Sequence, residues 1–196
     1  MKKIQEFTSH IKTVGLMRSA RYTVIIPSCK SLRSLYSPNS LNTIALLCDR
    51  LQIPGLNYST AANMTYGETR EIPYTRLYDN ISMSFYVDND MTTKRYFDDW
   101  LFSIQDPSKR VFNYYSNYIT NIIIKIEDLN NNTAYGIKLI EAYPKTISAI
   151  DLDYSSKEVM KINVNMAYKY WTPIDLSDYE YTPESLIVNN KVILPH

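Results

Sequence analysis

Residues 159–171 read VMKINVNMAYKYW, where Met160, Ile162, Val164, Met166, Tyr168 and Tyr170 alternate with Lys161, Asn163, Asn165, Ala167 and Lys169. Successive side chains of a β-strand point to opposite faces, so this stretch predicts one long strand with a packed face and a wet face. The same period recurs upstream. Ile81, Met83, Phe85 and Val87 alternate with Ser82, Ser84 and Tyr86, a second half-buried strand. Further out, YITNIIIKIED (118–128) and TAYGIKLIEAY (133–143) flank Leu129 and three asparagines, which predicts a hairpin with an Asn-rich turn. RYTVIIP (21–27) is β-branched and closes on proline, and TIALLCDRLQIPG (43–55) reads as a strand running into a Pro-Gly turn. The segment SCKSLRSLYSPNSLN between them reads as a loop. The class that follows is mainly β: an antiparallel sandwich or small barrel of about seven strands.

Two segments depart from that pattern. In MTTKRYFDDWLFSI (91–104), Phe97, Trp100, Leu101 and Ile104 fall at the i, i+3, i+4, i+7 spacing of one helix face, with Asp90 placed to cap the start and Asp106-Pro107 to end it. This predicts one packed core helix. From Leu56 to Asp79 there is little core-grade hydrophobicity, yet Tyr58, Tyr66, Ile72 and Tyr74 recur among threonines, with Gly67 suited to a turn. That composition predicts a long protruding hairpin. The ends differ again. Residues 1–19 carry Ile4, Phe7, Ile11 and Val14 at loose helical spacing, a helical arm. Residues 20–171 form the β domain, and 172–196 dissolve into a Pro/Asp/Tyr-rich C-terminal extension.

The composition argues against several functions. Twenty-one basic residues against 20 acidic ones leave a formal charge of +1, which gives no electrostatic drive toward nucleic acid or anionic lipid. No run approaches the roughly 20 apolar residues that cross a bilayer, and the first 20 residues lack a signal-peptide core, so the expectation is a chain made in a cytoplasm without membrane contact. Two cysteines and two histidines, the latter at positions 10 and 196, offer no metal cluster. Four glycines form no phosphate-binding loop, and no Gly-x-Ser-x-Gly elbow occurs. Asp88-Asn89-Asp90 lacks the Gly and terminal Glu of an EF-hand loop. Asp98 and Asp99 are the sharpest catalytic candidates, because two carboxylates beside Trp100 have the composition of a sugar-cleaving site. Such a pair must face each other across the substrate, and neighbours on a helix do not. We therefore expect no catalytic, cofactor-binding or metal-binding residue. Eighteen tyrosines suit half-buried strands and protein interfaces instead.

At this point the order of elements resembles the tail tube proteins of contractile-tailed bacteriophages and the relatives that start the tube on the baseplate. The resemblance covers about residues 20–171. It is carried by EAYPKTISAIDLDYSSKEVMKINVNMAYKYW, by CDRLQIPG, and by TYGETREIPYTRLYDNISMSFYVDND followed by RYFDDW. It implies a β-sandwich flanked by one helix, six copies forming a ring, and stacked rings making a conduit through which DNA passes without sequence-specific binding. It also implies that the hairpin around Gly67 joins the sheet between subunits, that the Phe97/Trp100/Leu101/Ile104 helix plugs the outer side of the sandwich, and that the 159–171 strand belongs to the core sheet. The arm and the extension favour a baseplate tube initiator over the repeating tube subunit. The partners implied are further copies of the chain and adjacent tube or baseplate hub proteins. The place implied is the virion tail, after assembly in the host cytoplasm. A sugar- or receptor-binding β-sandwich of a phage tail is the competing expectation, drawn from the tyrosines and Trp100.

Overall fold

The computed structural model describes residues 2–63, 67–155 and 157–174. In chain order the elements are α1 (Lys2–Val14), β1 (Tyr22–Ile25), α2 (Pro38–Leu46), β2 (Cys48–Leu51), β3 (Asn57–Asn63), β4 (Arg70–Leu77), β5 (Ile81–Tyr86), α3 (Thr92–Ile104), α4 (Tyr115–Tyr118), β6 (Thr120–Glu127), β7 (Thr133–Ile147), β8 (Lys161–Ala167) and β9 (Tyr170–Ile174). The fold is mainly β, with antiparallel pairing in every ladder, as the alternation predicts.

Seven strands hydrogen-bond in the order β1-β6-β7-β8-β5-β2, with β9 also beside β7, while β3 and β4 form a separate two-stranded ribbon. Strand β7 organises the whole. One of its edges carries β6; the other carries β9 along Gly136–Ile140 and then β8 along Tyr143–Ile147. Between those two legs Glu141 adopts φ +55°, a left-handed conformation that bends the strand. Around the bend the backbone N–H of Glu141 donates to Asn121 Oδ1 at 3.1 Å, and Lys169 Nζ reaches Glu141 Oε1 at 3.1 Å.

That bend corrects the reading of 159–171 as a single strand. The chain opposite must turn with β7, so it breaks at Tyr168–Lys169 into β8 and β9. The alternation changes phase there too: Ile162, Val164 and Met166 are buried, but beyond the corner Trp171 packs on the core and Tyr170 faces out. Strand β9 also runs past the boundary expected at residue 172, through Ile174. Residues 175–196 lie outside the described part.

One core joins the two legs of the sheet. Val24, Ile122, Ile124, Ile137 and Leu139 from one side meet Ile81, Met83, Phe85, Ile162, Val164 and Met166 from the other, all nearly or fully buried. Helix α3 closes this core with Phe97 and Trp100, both 0% exposed. Trp100 Nε1 donates to the Tyr118 carbonyl at 2.7 Å, which fixes the indole and ties α3 to α4. The buried stripe of α3 is Thr93, Tyr96, Phe97 and Trp100, whereas Leu101 and Ile104 are only half-buried. The helix is thus rotated by part of a turn from the expected Phe97/Trp100/Leu101/Ile104 face. Asp90 does not cap it. Met91 occupies the cap position at φ +57°, and Asp88 Oδ1 accepts the Thr93 N–H at 3.0 Å.

The largest correction is α2. TIALL, read as the start of a strand, instead ends a helix that begins inside the supposed loop, with Ser37 accepting the Ser40 N–H at 3.3 Å and Pro38 in the first turn. Leu41 and Ile44 are its buried face. The remaining strand, β2, is only Cys48–Leu51, at the edge beside β5.

Candidate assembly surface

Asp98 and Asp99 each take a separate partner. Lys94 Nζ donates to Asp98 Oδ1 at 2.6 Å, a pair four residues apart along one helix. Asp99 takes a different partner: the Tyr36 hydroxyl donates to its Oδ2 at 2.6 Å. Burial, with the Asp99 carboxylate next, pushes the Tyr36 hydroxyl well above the usual phenol range. Asp99 is therefore a strut between α3 and the segment leading into α2, not the solvated residue that helical geometry suggests. Asp153 accepts both the N–H and the hydroxyl of Ser155, at 2.9 and 2.7 Å, and its carboxyl is held below the usual range by those bonds. Among the described residues no group of His, Cys, Asp and Glu could hold a metal ion. No described helix is long and apolar enough to cross a membrane.

What the fold presents instead is the ribbon β3–β4. Its register runs from Asn57 opposite Leu77 to Asn63 opposite Arg70, with an irregularity at Ser59/Thr60. Nearly every residue of both strands is exposed, and Ser59 alone is half-buried. Tyr58 is 49%, Ile72 49% and Tyr74 68% exposed, so three expected interface side chains stand in the open on this one ribbon. Gly67, at φ +83° with open space where a side chain would sit, lies past the described end of β3 in the turn region. Tyr66, the fifth expected residue, lies outside the described residues.

The ribbon holds its own shape through polar and stacking contacts. Ser59 donates to the Tyr74 hydroxyl at 2.7 Å, Thr60 to Glu71 at 3.2 Å, and the Arg76 guanidinium lies 5.5 Å from the centre of the Tyr58 ring. Its root is fastened to the body. The Asn57 amide donates to Asp79 Oδ2 at 2.6 Å, and Trp171 Nε1 to the Gly55 carbonyl at 3.2 Å. Sequence reasoning missed these anchors, along with Arg76. The signal available for them was weak, since Gly55 and Trp171 are 116 positions apart and no local pattern joins them. The core-helix residues form a separate group inside the body, away from this ribbon.

Comparison with known proteins places the chain. The family model described as phage tail tube protein matches residues 17–173, most of the chain. No curated protein matches it in sequence. Among solved structures, a chain of the anti-feeding prophage baseplate, 6-fold symmetrised, superposes with a TM-score of 0.61 at 14% identity, covering 82% of this chain and 97% of that one. A chain of the sheath-tube complex of an extracellular contractile injection system, PVC in the extended state, gives 0.56 at 15% identity, covering 85% and 97%. One from the anti-feeding prophage cap that terminates the tube gives 0.56 at 15%, covering 81% and 91%. At such identities these likenesses speak for the fold, a mainly β body of the tail-tube type. With the family model spanning both the body and the exposed ribbon, the chain belongs to the phage tail tube protein family.

Proposed function

We propose that this chain is a structural, non-enzymatic subunit that closes into a six-membered ring, and that the ribbon β3–β4 completes the sheet of a neighbouring copy. The observation that carries this reading is the ribbon itself. A two-stranded hairpin is marginal alone in water, and this one leaves strand edges and the large side chains of Tyr58, Ile72, Tyr74 and Leu77 exposed. Pairing with a neighbour supplies the missing backbone partners, and covering Tyr58, Ile72 and Tyr74 adds roughly 1.5–3 kcal/mol per fully buried large side chain. The six-fold symmetry of the baseplate assembly with a similar fold supports the copy number.

Stacked rings would make a conduit for DNA, and a net charge of +1 suits passage without retention. The chain would sit in the virion tail, assembled in the host cytoplasm, between further copies of itself and adjacent tube or hub proteins. The arm before residue 20 gives it additional surface for a dissimilar neighbour, which favours the initiator at the baseplate.

The test is Ala61→Pro, which places a residue without an N–H at the centre of β3, opposite Ile72. Negative-stain microscopy of wild-type protein should show rings, and the variant should stay monomeric while keeping its far-ultraviolet spectrum. Rings that persist in the variant, or a wild type that remains monomeric with purified baseplate partners present, would overturn the reading.

A further inference from the structure

An exposed ribbon must leave the body at one angle if its edge is to meet a neighbour, and no core holds this one there. Its described strands bury no residue, and the chain joins them to the sheet through two linkers, 52–56 and 78–80. The bonding of the sheet reaches Gln52 and Ser82: the Gln52 N–H donates to the Ser82 carbonyl at 3.2 Å, and Gln52 Oε1 accepts the Ser82 N–H at 3.2 Å. Beyond that pair the linkers line a cleft of about 330 Å³, with Pro54 and Gly55 from the first and Asp79 and Asn80 from the second. The cleft gives the root room to swing. Gly55, with open space where a side chain would sit, is the loosest backbone in it.

We propose that strand β9 and the corner before it latch the root of the ribbon, and that this latch sets the ribbon's angle and so governs how readily copies close into a ring. The inference rests on the ribbon pairing proposed above. The latch falls on the loosest point, since Trp171 Nε1 donates to the Gly55 carbonyl at 3.2 Å. The indole is itself held: Trp171 lies opposite Leu139 of β7 and packs on the core. On the second linker the Tyr78 ring meets the Tyr168 ring edge-on, with centroids 6.1 Å apart, and Tyr168 sits at the break between β8 and β9. The Asn57 amide, donating to Asp79 Oδ2 at 2.6 Å, then ties the start of β3 to the second linker. Each linker thus has a contact with the corner and the two legs are cross-tied, which resists both swing and twist.

The consequence is preorganisation. A swinging ribbon surrenders its freedom on pairing, and its association weakens by the fraction of time it points elsewhere. A latched ribbon has given up that freedom on folding. The root contacts therefore act on association far more than on the stability of the body.

Full-length chains test this by exchanging the polar pair. Asn57→Asp sets two carboxylates against each other at exposed positions, and Asn57→Asp combined with Asp79→Asn restores one donor and one acceptor in reversed order. Trp171→Phe removes the indole N–H and keeps an aromatic ring against the core. Light scattering over a range of protein concentrations follows ring formation, and hydrogen exchange of β5 and β8 follows the body. Asn57→Asp and Trp171→Phe should each raise the concentration needed for rings several-fold while β5 and β8 exchange as in the wild type, and the exchanged pair should return it close to the wild-type value. Either single variant assembling like the wild type, or an exchanged pair no better than Asn57→Asp alone, would overturn the latch. If Ala61→Pro still abolishes rings in that case, the ribbon's role stands without the latch; a wild type that forms no rings removes both.

Discussion

The body and the ribbon of this molecule are both antiparallel β-structure, but they are stabilised by opposite means. In the body, twenty buried side chains from both legs of the sheet, α2, α3 and the segments between them share one core. In the described strands of the ribbon no residue is buried, and hydroxyl bonds and a cation–π contact hold the shape. The same backbone geometry therefore serves two ends. Where the side chains alternate apolar and polar, the sheet folds on itself. Where Thr, Tyr, Ser and Arg are frequent, it stands clear of the core, on the surface proposed above to meet a partner. Stability should then be concentrated in the body, and association in the ribbon.

Trp100→Ala tests that division at its strongest point. It empties the largest side chain of the core and leaves the Tyr118 carbonyl without its donor, so chemical denaturation should show a loss of about 3–5 kcal/mol. A loss under about 1 kcal/mol would mean that α3 does not close the core. Ala61→Pro in the ribbon, by contrast, should leave the unfolding of the body almost unchanged.

A smaller effect comes from the strut between α3 and the segment before α2. Tyr36→Phe removes the hydroxyl bonded to Asp99, and the melting curve should show a loss below the roughly 1.5–3 kcal/mol typical of a hydrogen bond to a charged group, because the setting is half-exposed. Asp99→Asn should lose less, because an amide oxygen still accepts. Equal losses from both would show that the carboxylate charge matters more than the bond.

The smallest expected change is a gain. The Tyr96 hydroxyl is fully buried with no hydrogen-bond partner among the described residues, and burial pushes its ionisation far above the usual range. Tyr96→Phe keeps the ring contacts with Tyr36, Phe97 and Trp100 while removing an unsatisfied polar atom. Stability should rise by up to about 1 kcal/mol by denaturant titration. A loss would reveal a role for that hydroxyl.

The parts legible in the sequence were those where one local signal had one physical reading. Alternation in Ile81–Val87 and Ile162–Met166 can only be a strand with one packed face, and Gly67 marks a place where φ turns positive. The misreadings share a cause. TIALL is an apolar run too short to distinguish helix from strand by period, and the cue that settled it, Ser37-Pro38 as cap and first residue, lay inside a segment already set down as loop. The corner at Tyr168–Lys169 depends on Glu141, a residue in another strand, so no local pattern could announce it. Likewise Asp99 looks solvated until Tyr36, distant in sequence, is brought beside it. For the ribbon, composition indicated exposure, but its anchors at Gly55 and Asp79 are tertiary facts.

Amide hydrogen exchange on monomeric and assembled protein tests the contrast most directly. In the monomer, β5 and β8 should exchange slowly and the outward N–H groups of β3 and β4 quickly. On assembly, peptides covering 57–63 and 70–77 should become protected by at least about tenfold, while β5 and β8 hardly change. Assembled rings in which those ribbon peptides exchange as fast as in the monomer would contradict the division of labour between body and ribbon.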